Sequence, residues 1–282
     1  MKNGYIDLHV HSNVSDGTLT PTQVVNLAIE TGLVAMALTD HDTIDGVKEA
    51  IDAAKGADIE IIPGTELSVG YKNRDIHILG LYLDYQNKEF KEFLDVAKNG
   101  RIERNKKMVK NLADAGIAIT LEDLTKENGE AVITRAHFAK HLVETGVVKT
   151  KEDAFKKYLD ASSPYYVKRE FFTPEDAIKM IHKAGGIAVL AHPLLYKLDR
   201  KNVESLVLYL KDFGLDGLET YYSSHTDADE YFVRNLAKKQ GLLMTGGSDF
   251  HGANKPEINL GTGRGRLKVS EDLLQPMKEK LE

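Results

Sequence analysis

The run Val34-Ala35-Met36-Ala37-Leu38 is apolar without a break and lies between two stretches that read as helices. A continuous apolar strand is buried on both faces, as happens when helices cover both sides of a parallel sheet. Upstream, Thr20-Pro21 supplies an N-cap and a proline at the first helical position, and Val24, Val25, Leu27 and Ala28 lead on to Thr31-Gly32. Downstream, a helix is expected over residues 44–54, then a strand over 59–62 ending in Pro63-Gly64-Thr65-Glu66. Strand, loop and helix thus recur within the first seventy residues or so, which favours a parallel sheet or barrel. Runs at 67–71 and 76–83 flank Lys72-Asn73-Arg74-Asp75 and read as a hairpin that sets Glu66 and His77 on nearby rungs.

The rhythm breaks after residue 88. A long helix rich in Lys, Arg and Glu is expected over 90–115, with shorter ones at 121–126, 134–145 and 151–159. A crossover between strands needs only about a dozen residues, so residues 99–171 read as a helical insertion capping the fold. The barrel would comprise residues 1–98 and 172–282. Its second part resumes with a helix opening at Thr173-Pro174, and strands follow at 187–190, 217–218 and 242–244. Helices are expected at 203–213 and 227–240, with a terminal one at 270–281, and the strands total about seven.

The strands share a habit: most end in an imidazole or a carboxylate. His9 and His11 alternate with Leu8 and Val10, so with Asp7 they share one face of the first strand. His41, Glu66, His192, Glu219, Asp249 and His251 stand at later strand ends. Active sites of α/β barrels and open sheets form at the carboxyl ends of the strands. Burying one such group is ordinary, but a series on one rim is costly unless a metal holds it. The chain has no cysteine, so any metal sits on imidazole and carboxylate, which suits Mn, Fe or Zn.

The remaining composition is that of a globular chain of 282 residues with 42% hydrophobic and 28% charged residues, enough for a sizeable core. No apolar run reaches the length of a membrane span, and Met1-Lys2-Asn3-Gly4 leads straight into a strand, so neither a leader nor a membrane anchor is expected. The missing cysteines fit a cytoplasmic protein. A net charge of −6 argues against a stable complex with long nucleic acid, yet leaves room for a small phosphorylated ligand.

Seven segments stand in order along the chain: His9-Val10-His11-Ser12, Ser15-Asp16-Gly17, Thr39-Asp40-His41-Asp42, Pro63-Gly64-Thr65-Glu66, Ile76-His77-Ile78-Leu79-Gly80, Ala191-His192-Pro193 and Gly247-Ser248-Asp249-Phe250-His251. Together they resemble the motifs of the PHP (polymerase and histidinol phosphatase) superfamily. Thr134-Arg135-Ala136-His137-Phe138-Ala139 is similar to the inserted segment of one branch, the nucleoside 3′,5′-bisphosphate phosphatases and related 5′→3′ exoribonucleases. The resemblance implies a distorted, TIM-like (β/α)7 barrel with a centre of two or three divalent metal ions. His9, His11, Glu66 and Asp249 would hold the first. Glu66 would bridge to a second, held also by His77 and His192, and Asp16, His41 and His251 would take the third. It implies hydrolysis of a phosphomonoester of a small nucleotide by a metal-activated hydroxide, with Asp16 in the catalytic centre and first of all a ligand. A 5′→3′ exonuclease on short oligonucleotides and a histidinol-phosphate phosphatase are alternatives, and a non-catalytic metal-binding module is the alternative of another class.

Arg135, just inside a helix N-terminus, and Lys168 with Arg169 are expected to contact the substrate phosphate. His225 is expected near that phosphate as a proton donor. Other signals carry less. His137 and His141 lack the glutamate of a zincin motif and read as packing or substrate lining, and His182 reads as surface. The cluster Arg101, Arg104, Lys106 and Lys107 reads as a solvated helix face, and residues 261–265 as a flexible loop. Pro193-Leu194-Leu195-Tyr196 has no arginine where many branch members carry Gly-Arg-Tyr.

Overall fold

The computed structural model describes residues 4–72, 74–126, 131–168 and 172–282. Met1–Asn3, Asn73 and Arg169 therefore lie outside the described residues. The seven strands are β1 (Tyr5–Val10), β2 (Leu33–Leu38), β3 (Glu60–Tyr71), β4 (Arg74–Leu81), β5 (Ile187–Leu190), β6 (Gly217–Tyr222) and β7 (Leu243–Gly247). They pair in that order. Closure comes from main-chain bonds between the ends of β7 and β1: Asp249 N–H to His9 O at 2.9 Å and His11 N–H to Phe250 O at 3.0 Å. The result is the expected seven-stranded α/β barrel, nearly closed. Gly247 lets the two strands meet, because a Cβ there would stand 2.4 Å from His9 Cβ.

Pairing is parallel except on both sides of β4, which runs antiparallel to β3 and to β5. Here the structure departs from the sequence reading. Pro63-Gly64 does not end one strand before another begins; β3 runs through it for 12 residues. The first half pairs with β2 up to Leu38 opposite Pro63, and the second half with β4 from Gly64 onward. Pro63 can sit at that handover because its missing N–H falls between two ladders. Gly64 is needed there, since a Cβ would approach Gly80 O at 2.9 Å. Ser68 pairs with His77 and Glu66 with Leu79, which sets Glu66 and His77 two rungs apart on one face of the hairpin.

Helices α1 (Pro21–Glu30) and α2 (Val47–Ala53) pack outside the first strands. Helix α3 (Lys88–Asp114) is one 27-residue element with two partners. Its Phe90 and Leu94 pack with Ile181 and Ala184 of the barrel's outer layer, whereas Met108 and Leu112 join a separate core with Ile119, Phe138 and Leu142. That core also gathers α4 (Leu121–Lys126), α5 (Arg135–Glu144), α6 (Lys151–Ala154) and the π-turn Phe155–Leu159. Helices α7 (Pro174–Lys183), α8 (Arg200–Asp212) and α9 (Asp227–Gln240) complete the outer layer, and α10 (Leu274–Leu281) ends the chain after a short 3-10 turn. Residues 261–265 are not a loose loop: Gly261 N–H donates to the buried Asp7 Oδ2 at 2.8 Å. Among the described residues no helix is long and apolar enough to cross a membrane.

Candidate metal centre

Strand ends and the loops after them bring His9, His11, Asp16, His41, His192, Asp249 and His251 to one end of the barrel, where the middle of β3 adds Glu66 and the amino half of the antiparallel β4 adds His77. Glu66 lies at the middle. Its Oε1 is 2.6 Å from His77 Nδ1 and 3.0 Å from His192 Nε2, and its Oε2 is 3.3 Å from His9 Nε2 and 3.2 Å from His11 Nε2. Asp249 Oδ1 stands 3.6 Å from His9 Nε2 and 3.4 Å from His11 Nε2. Asp16 Oδ1 lies 3.2 Å from His251 Nε2, and Asp16 Oδ2 lies 3.7 Å from His41 Nε2. Four groups of three or four ligand atoms, each within 4.8 Å of one another, together use all nine side chains.

His77 and His192 hydrogen-bond Glu66 Oε1, whereas the approaches of His9, His11, His41 and His251, at 3.2–3.7 Å, have the spacing of ligands about a shared ion. Two atoms about 2.1 Å from a shared cation in tetrahedral geometry lie about 3.4 Å apart. Several ring nitrogens that face these acids are buried with no hydrogen-bond partner among the described residues: His9 Nε2, both nitrogens of His11 and His41 Nδ1. Orphaned polar atoms in such number are expensive unless an ion satisfies them. The outward nitrogens, by contrast, are set. His9 Nδ1 donates to Glu219 Oε1 at 2.9 Å and His251 Nδ1 to the Asp249 carbonyl at 2.8 Å, so in both rings Nε2 presents its lone pair inward. The donor set fits divalent metal.

Electrostatics agree. Burial alone would raise Glu66, but His77, His41 and His9 outweigh it and hold the carboxyl well below its usual range. Burial likewise opposes ionisation of Asp16 and Asp249, and the imidazoles, with Lys255 beside Asp249, keep both well below the usual range. Three ionised carboxylates therefore face one another across the imidazoles. The backbone is forced as well: Asp42, His192 and Asp249 have φ of 51°, 26° and 58°, a region non-glycine residues adopt at a cost of about 1–3 kcal/mol.

Residues 7–174 match the family model of the PHP domain. The chain belongs to the PHP family. It is 40% identical over 248 residues to a 3′,5′-nucleoside bisphosphate phosphatase of Chromobacterium violaceum, covering 87% of each chain. It is also 40% identical over 245 residues to a 5′-3′ exoribonuclease of Haemophilus influenzae, covering 87% of this chain and 89% of that one. A solved structure from Bifidobacterium adolescentis, described as a candidate metal-dependent phosphoesterase, superposes with a TM-score of 0.84 at 31% identity, over 96% of this chain and 94% of that one. The protein is a PHP metal-dependent phosphoric ester hydrolase.

The PHP centre opens into a cavity of about 510 Å³, within the range of small-molecule sites. Its wall carries Arg135, which lies 2.9 Å from Asp75 and over the rings of Phe155 and Tyr166. Lys151, Lys255 and Arg264 face the same space, and Leu195 and Ile258 add apolar surface. The cations Lys151 and Lys255 were not singled out from sequence, and neither was Tyr222. Tyr222 OH donates to Asp249 Oδ2 at 2.7 Å and Lys255 Nζ to the same oxygen at 2.6 Å, leaving Oδ1 for the metal side.

Two residues expected at the substrate do not line this cavity. Lys168 is exposed and lines a second cavity beside α3, with Ala97, Lys107 and Phe172. His225 is buried behind Tyr222, at a ring separation of 5.4 Å, and is not on the cavity wall. Its Nδ1 donates to the Thr220 carbonyl at 3.0 Å, a bond that closes the turn after β6. The solvated-face reading of Arg101 and Arg104 is also overturned. They are 7% and 6% exposed and line the cavity, since this edge of α3 lies across the barrel mouth. Lys106 and Lys107 are exposed as expected, and His137 is packed.

Proposed function

We propose that this chain removes a phosphate from small nucleotides, such as the 3′-phosphate of a nucleoside 3′,5′-bisphosphate. The observation that carries the reading is one of position. Five of the nine candidate ligands, Asp16, His41, His77, Asp249 and His251, line a cavity of nucleotide size, the other four are grouped with them, and cations stand on its wall. In this reading His9, His11, Glu66 and Asp249 hold one ion, Glu66, His77 and His192 a second, and Asp16, His41 and His251 a third. Mn, Fe or Zn suits that donor set. Bound divalent ions supply a water of lowered pKa and offset charge on the phosphoryl oxygens. Arg135 orients a second phosphate, Lys255 and Tyr222 fix Asp249, and Leu195 and Ile258 meet the base. Asp16 serves as a ligand, and His225 supports the wall through Tyr222. No side-chain nucleophile is required.

Short RNA ends are a second substrate class, supported by the equal identity to the Haemophilus influenzae exoribonuclease. The Arg135–Asp75 pair joins α5 to the β3–β4 hairpin across the mouth and disfavours a long strand passing through. We place the reaction in the cytoplasm, in keeping with a chain without cysteine. EDTA treatment followed by Mn²⁺ should abolish and then restore turnover of adenosine 3′,5′-bisphosphate. Turnover should be much slower on histidinol phosphate and on a long oligonucleotide. Full activity in metal-stripped protein would refute the mechanism, and no activity across the panel in metal-loaded protein would favour the non-catalytic module.

A further inference from the structure

The helical segment over the barrel mouth touches the ligand set itself through a hydroxyl. Thr134, the N-cap of α5, is 5% exposed. Its Oγ1 accepts the N–H of Ala136 at 3.1 Å, as an N-cap does, and keeps one proton to give. That proton goes to Asp16, whose Oδ2 lies 2.9 Å away. Asp16 belongs to the group with His11, His41 and His251. The loop that carries Asp16 is tied to the same segment twice more. Val132 N–H donates to Val14 O at 3.0 Å. Lys151 Nζ donates to the Asn254 carbonyl at 2.8 Å, and Asn254 Nδ2 donates to the Asp16 carbonyl at 2.8 Å. The other three ligand groups are built from barrel strands and their end loops.

We infer that Thr134 is a positioning residue through which the helical segment sets the affinity of one metal position, the one that uses Asp16. An aspartate with only loop neighbours samples several rotamers, and fixing one oxygen leaves the other aimed at His251. Partners behind a ligand commonly change metal affinity by about 10–100-fold. The inference rests on the proposed metal centre.

The test uses the full chain, stripped with EDTA and titrated with Mn²⁺, with bound Mn per chain read by elemental analysis and affinity by calorimetry. Thr134→Val should weaken one Mn equivalent by about tenfold or more and leave the rest as in wild type. Thr134→Ser should restore it. Thr134→Gly, an N-cap that costs little helix stability, carries the same expectation as valine should the valine variant not fold. Thr120→Val removes another N-cap of the same helical segment, the 3.1 Å bond from Asp123 N–H to Thr120 Oγ1, without touching Thr134 or Asp16, and should bind Mn as wild type does. Unchanged Mn binding in Thr134→Val and Thr134→Gly, or loss of the same equivalent in Thr120→Val, would overturn the inference while the metal centre stood. A wild-type chain that took up no Mn would overturn both.

Discussion

Ring orientation decides whether a histidine is a ligand or an ordinary buried polar group, and Glu219 sets it for His9. Glu219 is wholly buried; its Oε1 accepts from His9 Nδ1 at 2.9 Å and its Oε2 from the His192 N–H at 2.6 Å. One carboxylate thus fixes a ring and the left-handed backbone of a second ligand. Burial would lower the pKa of His9, but Glu219, Glu66 and Asp249 outweigh it and raise it well above the ordinary value. Glutamine in its place keeps the shape and loses the charge that makes Nε2 a strong donor. Glu219→Gln should therefore bind Mn²⁺ about tenfold more weakly with little change in fold. Wild-type affinity in a titration of the variant would refute the role. The position of Glu219 at a strand end was visible in the sequence. Its role behind the ligands was not, because that depends on which way a side chain 210 residues from His9 turns.

At the scale of elements, the barrel and the helices of its cover were legible, and which side of α3 faces the barrel was not. Val34–Leu38 announces a strand buried on both faces, and the capped starts at Thr20 and Thr173 fix two helices. The clustered histidines and acids were legible for a related reason, since most of them stand at strand ends, a fixed place in an α/β barrel. Helix α3 has no such landmark. Its charged residues look alike in sequence, yet Arg101 meets Asp42 across 59 residues while Lys106 meets only Glu103 on its own helix. Arg101 Nε donates to Asp42 Oδ2 at 2.6 Å and an Nη to Ser68 Oγ at 2.8 Å, which pins the helix beside His41. Arg101→Met should cost about 2 kcal/mol in denaturant unfolding, a charge-assisted bond lost in a buried place. Lys106→Met should cost less than about 0.5 kcal/mol. Equal losses would mean that the Arg101–Asp42 contact adds nothing to holding α3 down.

The two ends of the barrel treat buried charge in opposite ways, and that contrast bears on the whole molecule. At the far end Asp216 accepts from Ala188 N–H at 2.8 Å and His182 Nε2 at 2.7 Å, while Lys280 lies 2.9 Å from its other oxygen. That acid is satisfied by protein alone. At the mouth, three carboxylates held ionised share their space with imidazoles, several of whose buried nitrogens have no hydrogen-bond partner among the described residues. Left-handed backbone at Asp42, His192 and Asp249 adds strain at the same end. A fold built this way is incomplete as protein and gains stability from whatever cation enters. Binding to the folded state alone contributes RT ln(1 + [L]/Kd), about 4 kcal/mol at a thousandfold excess over Kd. For a chain of this size that corresponds to a thermal midpoint higher by roughly 8 °C or more. Metal-stripped protein should thus melt well below the same protein in Mn²⁺, and the shift should grow with Mn²⁺ concentration. The low-melting state should also show faster amide exchange at the mouth strands, while the Asp216 end exchanges as before. A midpoint indifferent to Mn²⁺ would mean that the mouth, like the Asp216 end, is satisfied by its own side chains, and the metal centre would then have no physical basis.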